Sequence, residues 1–382
     1  MARWLSFVAA VVLSLSIIAI GLVEVLYRLQ VKPTLEKNRA VQERFIQPYL
    51  DDLQFLAKNP LFENRSAGMT DAGVYLNAKV FWSPTIAGAP ARGQAQPLVS
   101  TEARENLLRM KTEWMRKFPR AEKLKADLSL FTGLNRFDYW DIEAESPIGD
   151  LIGKRRFIPP PQLPIPEVSD LLAVVKLRLM MGALTKDPLA ALTDVRQLSR
   201  LLLTTENMQL VLAGLSALDL ERFAFRFYVE EMGMNAGQWT PIDRNTTRRA
   251  YRAILATRGY LRLWSRPEKI QTIFLGELTP IGLCAAANEA LPLEYSLRRK
   301  LEPRWPLEIN LKTEYSRLDQ VLKRSRTFCR LRYLNDLASA RAFDIRMPGP
   351  LFLSHLPYSR KVFALRVSVI NFGGFDGYSA AQ

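Results

Sequence analysis

Four carboxylates cluster around Trp140 and form the densest group of acids and aromatic rings in the chain. Glycoside hydrolysis needs one protonated and one ionised carboxyl group beside the scissile bond, and flat rings nearby can stack on sugars. The cluster therefore suggests an alternative function, a membrane-tethered glycan hydrolase. The competing interpretation is structural, because acids beside aromatic residues also pair with Arg or Lys where a helix packs on a loop. The candidate catalytic residues of this alternative are Asp138, Asp141, Glu143 and Glu145.

Little else in the chain has the residue types of an active site. A Ser–His–acid triad needs a histidine as its base, and the single histidine, His355, has Ser354 only as its sequence neighbour. The stretch 149–155 is one residue too short for a phosphate-binding loop and places Arg155 where a magnesium-binding hydroxyl belongs. A structural zinc site needs about four Cys or His ligands, which the chain does not supply. The sequence therefore predicts no metal, no cofactor and a non-catalytic protein.

The two cysteines, Cys284 and Cys329, lie far apart in the sequence, and neither belongs to a CxxC pair. In an oxidising compartment two such residues can form one disulfide. They can equally be buried free thiols, since cysteine packs as a small apolar residue. The sequence leaves both alternatives open.

Positive charge is concentrated in the last third of the chain. The whole chain has a formal net charge of +15, and the segment from Arg298 to Arg366 contains 16 Lys or Arg against 6 Asp or Glu. Such a surface suits an anionic partner, namely lipid head groups, an acidic envelope polymer or an acidic protein, although a merely solvated basic face has the same composition. Nucleic acid is disfavoured, because interleaved aromatic residues and known binding motifs are missing. The predicted binding residues are Arg324, Arg326, Arg330 and Arg332.

The elements that would position these residues begin with an apolar segment at the N-terminus. Leu5–Val23 contains no charged residue and no proline, and a helix of this length measures about 28 Å, against about 30 Å for the hydrocarbon core of a bilayer. Trp4 and Tyr27 bracket the segment, as interfacial aromatic residues do. We therefore predict a transmembrane helix over 5–26. A cleaved signal peptide and a buried helix are the alternatives, but the apolar run is long for a signal and lacks a good cleavage site.

The flanking charges give conflicting signals about the orientation of this helix. Five basic residues follow it and only Arg3 precedes it, so the positive-inside rule places the body in the cytoplasm. A short basic stretch before an apolar run is, however, the usual layout of an export signal, and long domains translocate largely regardless of charge. We predict a single-pass protein of the cytoplasmic membrane with its body on the extracytoplasmic, periplasmic side.

The remaining chain is predicted to be mainly α-helical. Strands are expected only near 74–82 and 362–370, where β-branched and aromatic residues are enriched. The predicted division is a short tail over 1–4, the membrane helix over 5–26, a juxtamembrane helix over 27–58, a small mixed region over 59–158 with a mobile loop near 84–98, a proline-rich connector over 159–166, a helical body over 167–346 and a terminal loop and strand over 347–382.

Helix starts within the body are marked by capping residues. The pair Asp187–Pro188 combines a cap with proline at the first helical position, and Asp243 opens a later helix. Thr101, Ser169 and Thr205 are further predicted caps, and the helix beginning at Thr101 is expected to reach Lys117, with a second piece over 121–131. The segment 170–203 has the length of a helical repeat, about 34 residues, but no second copy follows, so a repeat solenoid stays an alternative.

These patterns predict a non-catalytic, membrane-anchored helical protein that acts as a scaffold or binding component at the cell envelope. Its predicted partners are the membrane, through residues 5–26, and envelope proteins, anionic polymers or lipid head groups. The glycan hydrolase is the first alternative. A cytoplasmic-facing binder of an anionic polymer or nucleic acid is the second, and it requires the inverted orientation.

Overall fold

The structure is a computed structural model of the whole chain. It describes residues 32–62, 68–82, 96–110, 112–124, 126–148 and 164–262 continuously, together with single residues or short stretches within 4–29 and residues 284–285. The described part is mainly helical, as predicted. Its α-helices are α1 (Lys32–Ala57), α2 (Gly73–Asn77), α3 (Thr101–Arg109), α4 (Val168–Leu184), α5 (Pro188–Leu203), α6 (Met208–Glu230) and α7 (Arg244–Arg262). Its 3₁₀ helices are Pro60–Phe62, Met115–Leu124, Ser129–Phe131, Leu134–Arg136 and Ala236–Gln238.

Helices α4, α5 and α6 pack on one another and form the centre of the fold. Their Leu, Val and Ala side chains are removed from water almost completely, which is the main favourable term in the folding of such a body. Gly182 allows α4 to approach its neighbours, because a Cβ there would lie 2.5 Å from the Cβ of Ala191 and 2.8 Å from the Tyr228 hydroxyl. That hydroxyl donates a hydrogen bond to the carbonyl of Leu179, so α6 is fixed to α4 at this contact.

The region between residues 72 and 148 contributes to the same apolar core as α4–α6. Trp82, Trp114 and Trp140 are fully buried there, and α3 and the 3₁₀ helix Met115–Leu124 pack on α4. The connector predicted over 159–166 is described only from residue 164. Apolar contact therefore continues across the position at which the sequence predicts a domain boundary.

Two of the predicted caps are confirmed. The Asp187 carboxylate accepts a hydrogen bond from the backbone of Ala190 with Pro188 in the first turn, and Asp243 accepts from the backbone of Thr246 at the start of α7. Three were wrong by a few residues. Ser100 caps α3 in place of Thr101, Asn207 caps α6 in place of Thr205, and Ser169 lies inside α4 and donates to Glu167.

The strand predicted near 74–82 was wrong over its first half. Val74 and Tyr75 have high β-propensity, but they lie in the short helix α2, at whose start the Gly73 amide donates to the Asp71 carboxylate. The Tyr75 hydroxyl donates to the carbonyls of Ser129 and Thr132, which are distant in the sequence, so tertiary contacts override the local preference. The second half contains an isolated antiparallel bridge between Trp82 and Pro166. The strand predicted over 362–370 lies outside the described residues.

The helix predicted from Thr101 to Lys117 was too long. Helix α3 ends at Arg109, and the chain then enters the 3₁₀ helix Met115–Leu124, which contains Pro119. The α-helical piece predicted over 121–131 is replaced by this 3₁₀ helix and by the short one at Ser129–Phe131. A proline inside the segment removes one backbone donor, which disfavours a regular α-helix there.

Most of the segment 27–58, predicted as a juxtamembrane helix, is helical as α1, which continues through Pro48 without ending, while its position beside a membrane stays a prediction. Within the described residues, no helix combines the length and the apolar character that crossing a bilayer requires. Much of the segment 5–26 lies outside the described residues, and its described positions between 10 and 25 are helical. The structure thus supports the helical body, while the membrane-spanning helix stays a prediction.

Candidate functional site

The predicted acidic cluster forms a bend that is held by backbone contacts. An Asp138 carboxylate oxygen accepts from the Thr70 amide at 2.9 Å, and an Asp141 oxygen accepts from the Glu143 amide at 3.1 Å. Glu145 is exposed and has a positive φ of 47°. Both aspartates therefore have loop-stabilising contacts. A hydrolase with these acids stays a hypothesis, and no contact described here favours it.

Trp140, the aromatic centre of that cluster, is 0% exposed. Its indole donates to the Asn77 side chain at 2.8 Å, and its backbone amide donates to the Thr204 hydroxyl at 2.8 Å. The ring is thus inside the core and does not present a face on which a sugar could stack. Its role is to join α2 to the loop before α6.

Two buried ionisable groups lie on α4. The Asp170 carboxylate accepts from the backbone amides of Leu98 and Val99, and desolvation raises the pKa of Asp170 although these bonds oppose the shift. The Lys176 ammonium donates to the carbonyls of Leu107 and Met110 at the end of α3, and burial lowers the pKa of Lys176. Both groups connect α4 to α3 and its flanks through backbone groups, so these contacts stabilise the fold.

A second charged group lies between α5 and α6. Glu221 is completely buried and is held by the guanidinium of Arg196, whose Nε lies 2.8 Å from a carboxylate oxygen. The Trp239 indole donates to the same carboxylate at 2.7 Å, and the guanidinium stacks on the Trp239 ring at 4.7 Å. This arrangement satisfies the buried carboxylate with two donors, as a buried charge requires.

A further group of charged and polar side chains lies at the contact between α1 and α7, which we call the α1–α7 junction. It consists of Tyr49, Asp52 and Phe55 on α1 with Arg249, Arg252 and Thr257 on α7.

The junction is centred on Asp52, which is 2% exposed and forms ion pairs with Arg249 at 2.6 Å and with Arg252 at 2.9 Å. The Arg249 guanidinium also lies 3.9 Å from the Phe55 ring centroid. A carboxylate between two guanidinium groups in low dielectric is strongly held, and removing it leaves two uncompensated cations.

A buried hydroxyl pair extends the junction. The Thr257 hydroxyl donates to the carbonyl of Ala253, so the Tyr49 hydroxyl is the donor in the 2.6 Å contact with Thr257. As residue numbers rise along α1 they fall along α7, which makes the two helices antiparallel. Helix α7 therefore runs back towards the N-terminal end of α1.

The sequence prediction missed the junction, although it carried a signal. Asp52 falls among Tyr49, Leu53 and Leu56, an apolar helical face on which an acid must find a partner. Arg249 and Arg252 are spaced i, i+3, so they share one face of α7. The partner helix is far away in the sequence, which is why the pairing itself was not predictable.

Several predicted site residues lie outside the described residues: Arg324, Arg326, Arg330, Arg332, Cys329 and His355. Cys284 is buried and has no free thiol, but the disulfide with Cys329 stays a prediction. Within the described part of the chain, no group of three or more His, Cys, Asp or Glu residues is arranged to hold a metal ion.

The chain matches no protein-family model, no curated protein and no solved structure.

Proposed function

We propose that the chain is a non-catalytic, single-pass membrane-anchored protein whose helical body binds an anionic or protein partner at the cell envelope. The observation that carries the proposal is the exposure of apolar side chains at the N-terminus. Between residues 11 and 29, nine described Val, Leu and Ile residues are 40–71% exposed. Exposed apolar surface of this extent is costly in water, and a hydrocarbon environment removes the cost.

The α1–α7 junction supports a fixed connection between this segment and the body. Helix α1 begins at Lys32, three residues after the exposed Leu29, and its 26 residues span about 39 Å. The far part of α1 is held to α7 by the buried ion pairs of Asp52. An anchor joined to a body in this way would hold the body at a defined distance from the bilayer.

The charge of the segment that follows α7 supports an anionic partner. Because α7 is antiparallel to α1, the chain leaves α7 on the side where the anchor begins. The basic residues between Arg298 and Arg366 follow in the sequence. Lipid head groups and acidic envelope polymers carry the opposite charge to this segment.

Alkaline carbonate extraction of membranes from cells that express the full chain tests the anchor. We expect the wild-type protein to stay in the membrane pellet. The double variant Leu13→Arg, Ile17→Arg should move to the supernatant, since each arginine at the centre of a membrane helix costs about 3 kcal/mol. The matched control is Val74→Arg, Tyr251→Arg, which changes two exposed apolar residues of the body and should stay in the pellet. Release of the wild-type protein would contradict the anchor.

A reporter fused after Gln382 tests the orientation. An alkaline phosphatase fusion is active only outside the cytoplasm, so activity is expected for an exported body. An active cytoplasmic reporter in its place would reverse the orientation and leave the cytoplasmic-facing binder of an anionic polymer as the function to pursue. The anchor itself would not be affected by that result.

A further inference from the structure

The 3₁₀ helix Met115–Leu124 is unusually long and has three distinct edges. Runs of more than three or four residues are uncommon in this conformation, and its three residues per turn place every third side chain on the same edge. The burial pattern follows this period. The inner edge is buried or half-buried and consists of Met115, Phe118, Ala121 and Leu124, while all the other positions are exposed.

The inner edge holds the helix firmly on the body. It packs on α4, and the Phe118 ring meets the Phe227 ring of α6 edge to face at 6.3 Å. Next to the start of the helix, Trp114 contacts Phe223 of α6 at 5.6 Å. The outward edges are therefore presented by a fixed scaffold rather than by a free loop.

One outward edge consists entirely of cations, and we call it the cationic ladder: Lys117, Arg120 and Lys123. At a rise of about 2 Å per residue, successive members lie about 6 Å apart along a straight line. None of the three takes part in an ion pair within the part of the chain that the structure describes. Arg116, on the neighbouring edge, pairs instead with Glu231 at the end of α6.

The form of the ladder limits the kind of partner that fits. It is a straight row of charges without an exposed aromatic ring, so it lacks the stacking surface with which proteins bind single-stranded nucleic acid. The apolar side chains of the helix face inwards, so the ladder also lacks the apolar centre of a protein–protein interface. A row of charges of this kind matches a linear polymer in which anionic groups recur along the chain.

The position of the ladder separates it from a lipid surface. It lies beside the end of α6, whereas the described side-chain contacts of α1 with the body, such as that between Tyr49 and Thr257, are made with α7. The part of α1 before Tyr49, from Lys32 to Pro48, is about 26 Å long. This distance favours a polymer that extends away from the bilayer over head groups within it.

We propose that the cationic ladder of Lys117, Arg120 and Lys123 binds an acidic polysaccharide. The proposal rests on the proposed function, because location at the cell envelope is what brings the protein into contact with such a polymer. It adds a binding site for the anionic partner on the body to the one proposed in the basic C-terminal third.

Binding of polygalacturonate to the full-length protein in detergent tests the ladder. We expect the variant Lys117→Gln, Arg120→Gln, Lys123→Gln to bind about tenfold more weakly, the combined effect of three modest exposed ion pairs. The control variant is Arg44→Gln, Lys58→Gln, Arg244→Gln, which removes the same charge from exposed positions on or next to α1 and α7 and should bind within about twofold of wild type. Circular dichroism checks that both variants are folded.

A third variant makes a failure of the ladder distinct from a failure of the proposed function. If binding is lost only when Arg324, Arg326, Arg330 and Arg332 are replaced by Gln, the ladder is overturned and the proposed anionic partner is kept. If the wild-type protein does not bind polygalacturonate, the ladder proposal is overturned, while carbonate extraction still decides the anchor.

Two further probes test the choice of polymer. Single-stranded DNA and vesicles containing phosphatidylglycerol are compared with polygalacturonate at equal salt. Weaker, ladder-independent binding of both supports the polysaccharide. Tighter ladder-dependent binding of either one overturns it in favour of nucleic acid or of the lipid surface.

Discussion

At the scale of single residues, burial of charge decides how the stability of the body depends on pH. The carboxyl group of Asp170 is enclosed at the start of α4, and desolvation raises its pKa above the usual 3.8. A raised pKa means that the folded state holds the proton more tightly than the unfolded state does. Its contribution to stability is therefore largest below pH 3.8 and is lost as the pH rises through the pKa of the folded protein.

Replacing Asp170 by Asn should remove this dependence. The amide does not ionise. As the pH rises from about 4, the unfolding free energy of the variant should therefore increase relative to that of the wild type. The difference should then level off at higher pH. The lost acceptor for Leu98 or Val99 adds an offset that does not change with pH. Urea unfolding at several pH values measures the difference. Parallel curves for the two proteins would refute the assignment.

The Glu221 carboxylate offers a second residue-scale prediction. Glu221→Gln leaves the Arg196 guanidinium opposite a neutral group inside the body, which should lower the unfolding free energy by about 3 kcal/mol. Glu231→Gln is the matched control, because it breaks the exposed pair with Arg116 and should cost less than about 0.5 kcal/mol. Chemical unfolding compares the two. Equal losses would show that burial does not set the strength of the Arg196 pair.

At the scale of elements, the α1–α7 junction is a separate unit whose stability depends on Asp52. Asp52→Asn should weaken the contact of α1 with α7 and leave α4–α6 intact, since the buried ion pairs of Asp52 described by the structure join α1 to α7 alone. We expect faster hydrogen exchange in 49–57 and 249–257 and unchanged exchange in 171–228. Asp51→Asn is the control and should change neither region, because the exposed Asp51 side chain accepts from Gln47 and the Asp51 carbonyl that accepts from Arg249 is kept. Faster exchange throughout the protein would instead make the junction part of the central core.

The elements also show which features could be predicted from sequence. The cap at Asp187 and the start of α7 at Asp243 were predictable, because a side-chain acceptor a few residues before its amide acts locally. Helix α2 was not predictable, because long-range contacts of Asn77 and Tyr75 decide its conformation against β-propensity. The 3₁₀ helix was not predicted either, although inner-edge residues such as Met115 and Phe118 recur every third position, because an i, i+3 spacing also fits an α-helix.

The candidate sites divide in the same way. The acids around Trp140 were found by composition, but composition does not show that Trp140 is buried or that Asp141 binds a backbone amide. Asp52 was missed because its partners Arg249 and Arg252 lie far along the chain. Local signals predict ends of helices, whereas a site made by two distant helices requires the fold.

At the scale of the whole molecule, the described chain forms two packing units. One apolar core joins α4–α6 to the region between residues 72 and 148, and the α1–α7 pair is attached to it through α6. Under the proposed function, the second unit connects the anchor to the core and the first presents the cationic ladder. Anchoring and binding are thus assigned to different parts of the chain and can be altered separately.

The predicted disulfide offers a test of orientation on the unmodified whole chain. An exported body enters an oxidising compartment, so Cys284 and Cys329 should be bonded to each other, whereas a cytoplasmic body would keep both thiols reduced. Closing this loop should also stabilise the protein by about 4 kcal/mol in the chain-entropy account. Alkylation of freshly denatured protein, followed by mass spectrometry, should label no thiol before reduction and two after it. Labelling of both cysteines without reduction would contradict the disulfide and, with an active cytoplasmic reporter at the C-terminus, would place the body inside the cell.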